Sequence, residues 1–591
     1  MANSAVFLCA LCVEVFAPPA TTRPLSSNLT PVLTPPNFPA EKLLELAFAS
    51  LAADHTREAE ARFRQVLHHD SANVPALTRL ALLAFDQGRT SEARTLFARA
   101  VEHDPENLHL LAFFGLLLHR TGEPRQALDV FLRALAIDNT RAPLWNAAAV
   151  CLQETGQPVQ ALEFYLRATG LQPHFVEALN NLGILLLAEG DSAAALEPLS
   201  QAVAADPACS DAQFNLGVAL RNQLRYRGSL AHLREARRLQ PTRADFAGGL
   251  GEVLSLLYEP EARTHLEDGV RLAPADPEKH WNLALDLLKH GDYTRGWREY
   301  EWRWQRLKEK QTLTPFTQPV WTGKPLAGTT LLLRHEQGFG DSVQFLRFLP
   351  QLLAQQPRHI FVQVQPALKP LVEQLAVRLD GAVTVLTDGD PLPLHDWHAA
   401  LMSLPAALGT TLDTIPPPLR LTPERTARPD GGPLRIGLAW AGNPTHNRDA
   451  ERSLPVSSLA PLFTVPNCTW TSLQLGPRAL ELFRTGAPIE FPELPDFAAT
   501  AALLDTLDLV IAADTAVAHL AATQGVPTWL LLPYIADWRW LTPAHTTSPW
   551  YPQTRLFRQQ SFPEPAPQVE RWAPVIAEVT AALAELTTSP R

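Results

Sequence analysis

Two short stretches hold residue types at spacings from which chemistry could be built. The first is His335-Glu336-Gln337-Gly338-Phe339-Gly340-Asp341. It lies between a β-type run and a helical one. Its two glycines permit a tight turn and a close approach of backbone to a ligand. Asp341, at the start of the following helix, has two readings. It caps that helix by accepting backbone N–H groups, or it faces a cleft as the general base that takes a proton from an acceptor hydroxyl. The second stretch is Asp514-Thr515-Ala516-Val517-Ala518-His519-Leu520-Ala521, directly after the apolar run 508–513. The free N–H groups and dipole of a helix N-terminus attract a phosphate there. His519 stands four residues after Thr515 and so shares its helix face.

Other clusters are less specific. Asp388-Gly389-Asp390 has the D-x-D form of a divalent-metal site and also that of an ordinary turn. His395-Asp396-Trp397-His398 brings no further ligand cluster with it, and Cys9 and Cys12 form a C-x-x-C without a partner pair. Asp537-Trp538-Arg539-Trp540 and Trp550-Tyr551 offer aromatic faces, either to stack on a base or sugar or to pin the C-terminal helix. The chain lacks G-x-x-x-x-G-K-[ST] and G-x-S-x-G, which excludes the P-loop and nucleophile-elbow chemistries.

The elements around these stretches read as α/β. Residues 329–336, 359–365 and 382–387 are strand-like, with helical runs at 343–353 and 367–377 between them. A proline-rich segment, 415–433, predicts a hinge. Beyond it 434–440, 469–475, 508–513 and 528–532 are strand-like, with helices predicted near 456–463, 500–507 and 516–523. A last helix over 567–586 is long enough to cross back onto the first lobe. Alternation of this kind means parallel sheets with crossover helices, and a ligand at the carboxyl ends of their strands.

The first half is a repeat. Ala59, Ala93, Ala127, Ala161 and Ala195 are spaced by 34, and Ser229 continues the series. Four residues after each comes a large apolar side chain: Phe63, Phe97, Phe131, Tyr165, Leu199 and Leu233. Five before stand Gly88, Gly122, Gly156 and Gly190. Each unit is therefore two amphipathic helices about a glycine turn, unable to bury its face without a neighbour. About eight such units fill 41–306, and this spacing resembles the tetratricopeptide repeat family. Such arrays hold an extended protein or peptide partner. Trp297, Trp302 and Trp304 in the last unit are placed to seal it against the α/β half. Residues 1–40 form a Pro-rich leader, 307–328 a connector, 329–414 a first lobe, 434–566 a second, and 567–591 the final helix and tail.

The chain has 591 residues and a net charge of −11, which disfavours nucleic-acid partners. Five scattered cysteines suit a reducing compartment. The apolar run 5–17 has the length of a signal-peptide core, but no basic residue precedes it and Glu14 interrupts it, so a cytoplasmic protein without a membrane span is expected.

The Gly-Phe-Gly-Asp turn and the D-T-A-V-A-H-L-A run, with Gly525-Val526-Pro527-Thr528-Trp529 after it, resemble the acceptor loop and donor diphosphate site of heptosyltransferase-like glycosyltransferases. Trp440-Ala441-Gly442-Asn443, with Arg448 and Arg452-Ser453-Leu454, is similar to the loop that supplies that family's basic residue. Repeats ahead of such a half resemble the O-GlcNAc transferase architecture. The resemblance covers 329–586. It implies an α-solenoid followed by a GT-B fold of two Rossmann-like lobes. The implied reaction is an inverting, metal-independent transfer from a nucleotide sugar, without a cofactor, to an acceptor such as a protein or peptide chosen by the repeats. Asp341 would be the base. Asp514, Thr515, Ala516, His519 and Arg452 would hold the donor diphosphate, with Gly338, Gly340, Gln337, Trp440, Gly442, Asn443, Arg448, Gln474 and Asp537 also near the cleft. Arg452 stands where lysine is common, and Ala516 where glycine lets backbone approach phosphate more closely. The alternatives are a non-catalytic repeat scaffold with a degenerate nucleotide- or sugar-binding half, and an enzyme whose acceptor is a lipid or polysaccharide.

Overall fold

A computed structural model describes residues 38–309, 318–423, 432–445, 448–560 and 567–588. The leader up to residue 37, with the apolar run 5–17 and Cys9 and Cys12, lies outside the described residues. So do 310–317 of the connector and 424–431 of the expected hinge. The chain divides into two compact units. One runs to Gln223 and includes Arg227–Gln240; the other comprises Leu224–Tyr226 and the residues from Pro241 onward.

The first unit is built of paired helices, among them Val74–Asp86 with Thr90–His103, Leu108–Arg120 with Pro124–Ile137, and Ala142–Glu154 with Pro158–Leu171. The periodic alanines 59, 93, 127, 161 and 195 are fully buried, and so are the side chains four residues on. Packing sets the small positions of the facing helix as well. A Cβ on Gly115 would lie 2.6 Å from the Phe131 ring, so that helix yields the space the aromatic fills. The turns fall at one repeat position, where Gly88, Gly122, Gly156 and Gly190 take φ between +75 and +82°. Tyr258, in the second unit, occupies the same position at φ +60°, a conformation that costs a side-chain-bearing residue about 1 kcal/mol.

The second unit begins with two more helix pairs, Ala244–Leu256 with Ala262–Leu272 and Pro277–Lys289 with Tyr293–Tyr300, and a short helix Arg303–Glu309. Two parallel sheets come next. The first holds β1 (Thr330–Arg334), β2 (His359–Gln363), β3 (Val383–Leu386) and β4 (Trp397–Ala400) in the order β3-β2-β1-β4. The second holds β5 (Leu434–Ala439), β6 (Cys468–Ser472), β7 (Ile489–Glu490), β8 (Leu509–Ala513), β9 (Thr528–Leu532) and β10 (Thr554–Arg558) in the order β10-β9-β8-β5-β6-β7. Numbered within its lobe, each sheet runs 3-2-1-4, the second extending to 5 and 6. This is the doubly wound order, and it opens a crevice where the winding reverses. Those crevices lie at the carboxyl ends of β1 and β4, and of β5 and β8.

Three expectations change. The segment His395–His398, weighed as a metal cluster, runs into edge strand β4, paired in parallel with β1. Asp396 accepts the Thr330 N–H at 2.7 Å, and His395 Nδ1 meets the Pro393 carbonyl at 2.8 Å. The final helix, Gln568–Thr588, does not cross back onto the first lobe. Trp572, Val575, Ile576, Val579 and Leu583 fall on one helix face, at i, i+3, i+4, i+7 and i+11, and close the core of the second sheet. The expected hinge is tied down in its described part: Arg420 pairs with Asp505 at 2.5 Å, Leu421 N–H donates to Gln524 Oε1 at 3.0 Å, and Arg378 Nη1 reaches the Thr422 carbonyl at 2.7 Å.

Tyr293, Trp297 and Tyr300 of the last repeat pack against the α/β elements, whereas Trp302 stacks on His280 within the repeats at 3.8 Å and Trp304 donates to Glu301. Trp297 is buried, with its ring 5.1 Å from Trp538 and 6.3 Å from Phe345. Trp550 Nε1 donates to the Tyr293 hydroxyl at 2.7 Å. Trp538 and Trp550 therefore pack on the last repeat; with Trp540, which is also buried, they neither pin the C-terminal helix nor present open stacking faces.

Candidate functional site

β8 delivers Asp514 to the reversal point of the second sheet, and Thr515 is the N-cap of the helix Ala516–Thr523. Asp514 Oδ2 accepts the Trp540 indole N–H at 2.9 Å, and Oδ1 lies 3.7 Å from His519 Nε2. Burial by itself would push the Asp514 carboxyl up; His519, Trp540 and the nearby Arg452 outweigh it and hold the group below the usual carboxylate range. His519 Nδ1 lies 3.1 Å from the Tyr551 hydroxyl, and the imidazole stacks on Trp540 at 5.4 Å. Arg452 Nη1 donates to the Asp514 carbonyl at 3.4 Å, across the gap between β5 and β8. The same guanidinium covers Gly442 so closely that a Cβ there would run into it. The Thr515 hydroxyl is buried, without a hydrogen-bond partner among the described residues. Ala516 opens the helix.

The loop after β1 meets this group directly. Gly340 packs on the imidazole, and a Cβ added to it would lie 2.7 Å from His519 Cδ2. Asp341 Oδ2 accepts the Gly338 N–H at 2.8 Å, which is the capping geometry, while Oδ1 accepts from Arg539 Nη2. Arg539 also pairs with Asp537 Oδ1 at 2.8 Å and donates to Gln344 Oε1 at 2.6 Å. The two motifs, more than 170 residues apart in the chain, are thus in contact at the carboxyl ends of both sheets. The Asp341 side chain keeps 19% of its exposure, against 8% for Arg539.

The remaining candidates are mostly braces. Trp440 was expected near the cleft, yet its indole is fully buried in the core of the second sheet. β5 leads it inward because strand neighbours alternate faces. Gln474 Oε1 accepts the N–H groups of Trp440 and Ala441 at 3.1 and 2.9 Å, and Gly442 N–H donates to Ser453 Oγ at 3.0 Å. Asn443 Oδ1 closes a local turn onto Thr445. Arg448 pairs with Glu451 at 2.8 Å and reaches the Ile535 carbonyl at 3.1 Å. Gln337 Nε2 donates to the Tyr300 hydroxyl at 3.1 Å. Beside the Gly442 loop opens a pocket of about 460 Å³ lined by Thr445, Asp449, Ser453, Arg478 and Gln568.

Asp388 lies 3.0 Å from His335, and Asp390 accepts the Thr387 N–H, so the D-x-D forms a turn. Among the described residues no three His, Cys, Asp or Glu side chains are grouped to hold a metal ion. Among the described residues no helix is long and apolar enough to cross a membrane. Sequence reasoning passed over Arg539 and Tyr551, which touch Asp341 and His519. Their signal was present in the D-W-R-W run and the Trp550-Tyr551 pair, read there for aromatic faces alone.

These features define a class: a chain with tetratricopeptide repeats in its N-terminal region and an α/β half of two parallel sheets. Tetratricopeptide repeat families match residues 50–113, 146–210 and 180–244. Protein FlbA of Caulobacter vibrioides is 26% identical over 376 residues, 58% of this chain and 60% of FlbA, so the match spans less than two thirds of that relative. Among solved structures the chain is similar to YrrB, described as a TPR protein with an unusual peptide-binding site (21% identity, 31% of this chain, 95% of that one, TM-score 0.27). It is similar as well to Pseudomonas aeruginosa PilF (21%, 36%, 96%, TM-score 0.32) and to the Cut9–Hcn1 complex of the APC/C (17%, 42%, 52%, TM-score 0.35).

Proposed function

We propose that the α/β unit is a GT-B glycosyltransferase that moves a sugar from a nucleotide donor to a protein or peptide acceptor selected by the repeats, with inversion and without a metal. One observation carries the reading: the Gly338–Asp341 loop and the Asp514–His519 turn meet at the reversal points of two doubly wound sheets. In the proposed reaction the acceptor oxygen bonds to the anomeric carbon, and its proton passes to Asp341. The bond from that carbon to the diphosphate oxygen breaks, and its electron pair leaves with the diphosphate. The N-terminus of the helix Ala516–Thr523, His519 and Arg452 face the growing negative charge.

Asp341 is engaged by Arg539 and by the Gly338 N–H, so it acts as a base only once an acceptor displaces that guanidinium. This pairing favours the second reading, a nucleotide- or sugar-binding scaffold without turnover. A thermal-shift panel of nucleoside diphosphates, nucleotide sugars and free sugars followed by a donor-hydrolysis assay separates the two. Turnover that is lost in Asp341→Asn with diphosphate affinity retained supports the enzyme. Binding with no turnover in the parent chain supports the scaffold, and no binding of any nucleoside diphosphate, nucleotide sugar or free sugar refutes both.

A further inference from the structure

The last repeat reaches the candidate site through a second set of contacts, all inside the second unit. Arg303 is 2% exposed, and all three of its guanidinium nitrogens are engaged. Nε and Nη2 lie 3.1 and 2.9 Å from Glu336 Oε1, and Nη2 also donates to Ser403 Oγ at 2.7 Å. Nη1 donates to the Tyr300 carbonyl at 3.3 Å and to Glu301 at 2.5 Å. Glu336 lies two residues past β1, directly ahead of Gln337 and the Gly338–Asp341 turn. Ser403 lies three residues past β4. One side chain therefore holds both loops that leave the reversal point of the first sheet. The Tyr300 hydroxyl adds a contact with Gln337 Nε2 at 3.1 Å. Burial pushes the Glu336 carboxyl up and Arg303 opposes it. An apolar pair would close such a junction at less desolvation cost. What a planar fork on a carboxylate adds is a defined position.

We propose that Arg303 is a positioning residue for the candidate site, fixing Glu336 and Gln337 and with them the place of Asp341 opposite Arg539 and His519. Its activity readout rests on the transferase reading above; its structural readout does not.

The test uses the full chain. Arg303→Met is compared with Arg303→Lys and with the double variant Arg303→Met/Glu336→Gln, in which no buried charge is left without a partner. Amide hydrogen exchange over residues 336–342 is expected to rise about tenfold or more in the double variant, while the helix Ala516–Thr523 stays within about twofold. Nucleoside diphosphate affinity, probed with ADP, GDP and UDP, stays within about twofold, whereas kcat for nucleotide-sugar turnover falls about tenfold or more. Arg303→Lys restores little, because an ammonium cannot span both carboxylate oxygens and Ser403. Unchanged exchange over 336–342 in a folded double variant overturns the proposal. A parent chain without turnover counts against the transferase reading, and exchange then decides the positioning role. If neither methionine variant folds, Arg303→Lys decides, since it keeps the buried charge and removes the fork. Exchange over 336–342 is expected to rise about threefold or more, and no change overturns the proposal.

Discussion

Gly340→Ala sets two effects of opposite sign against each other. Gly340 lies inside the helix Phe339–Phe345 and does not take a positive φ. On propensity alone, alanine would stabilise that helix by about 0.5–1 kcal/mol. The added methyl, however, would lie 2.7 Å from His519 Cδ2 and 3.4 Å from Cγ and Nε2, about 1 Å inside ordinary carbon–carbon contact. The ring has little room to yield. It is buried, held at Nδ1 by Tyr551 and backed by Trp540. Overpacking of this kind costs about 1–3 kcal/mol, so the net effect is a destabilisation of about 1 kcal/mol, reaching about 2.5 if the ring stays fixed. Of the 14 tryptophans only Trp145 lies outside residues 241–591, so tryptophan fluorescence in a urea titration reports on the second unit. A double-mutant cycle with His519→Ala supplies the control. Once the ring is gone the methyl has space, and a coupling energy of about 1–3 kcal/mol is expected. If Gly340→Ala proves as stable as the parent or more so, and additive with His519→Ala, the two motifs are not in contact and the site has no basis.

Three further outcomes are expected. Burial lowers the Lys289 ammonium from 10.5 to about 8; between those values the unfolded chain binds more protons. Stability of the second unit should therefore rise with pH from about 8 upward, by at most about 1.4 kcal/mol per unit. A chemical-denaturation series in which Lys289→Met shows the same slope would contradict this. Trp297→Ala empties the centre of the aromatic cluster and should cost about 3–5 kcal/mol, read as an earlier fluorescence transition; a loss below about 1 kcal/mol would mean that the last repeat does not pack on the sheets. Arg539→Met leaves Asp341, Asp537 and Gln344 without their shared donor, while Asp341→Asn still leaves Arg539 paired with Asp537. The arginine variant should therefore be the less stable by about 1–3 kcal/mol in the same titration, and the reverse order would refute the assigned partners.

Much of the architecture was legible in the residues because it rests on local periodicity. Small residues every 34 positions, with a large apolar side chain four further on, leave two helices no other way to bury a face, and so the repeats could be read directly. Strands β1, β2, β3, β5, β6, β8 and β9 announced themselves as short apolar runs between helices. Strands β4, β7 and β10 did not. Each is short and interrupted by a polar residue, His398, Glu490 or Arg555, so none forms the continuous apolar run by which a buried strand is recognised. The same limit applied to the candidate site. Asp341, Asp514 and His519 stood out by type and by their place after a strand. Which partners they would find was decided by the winding of two sheets and by the packing of the last repeat. Arg539 reaches Asp341, Tyr551 reaches His519 and Arg303 reaches Glu336 over chain separations that no local pattern encodes. A charge buried in a fold is satisfied by whichever opposite group the topology brings alongside, and that is a property of the assembled sheets rather than of any neighbouring residues.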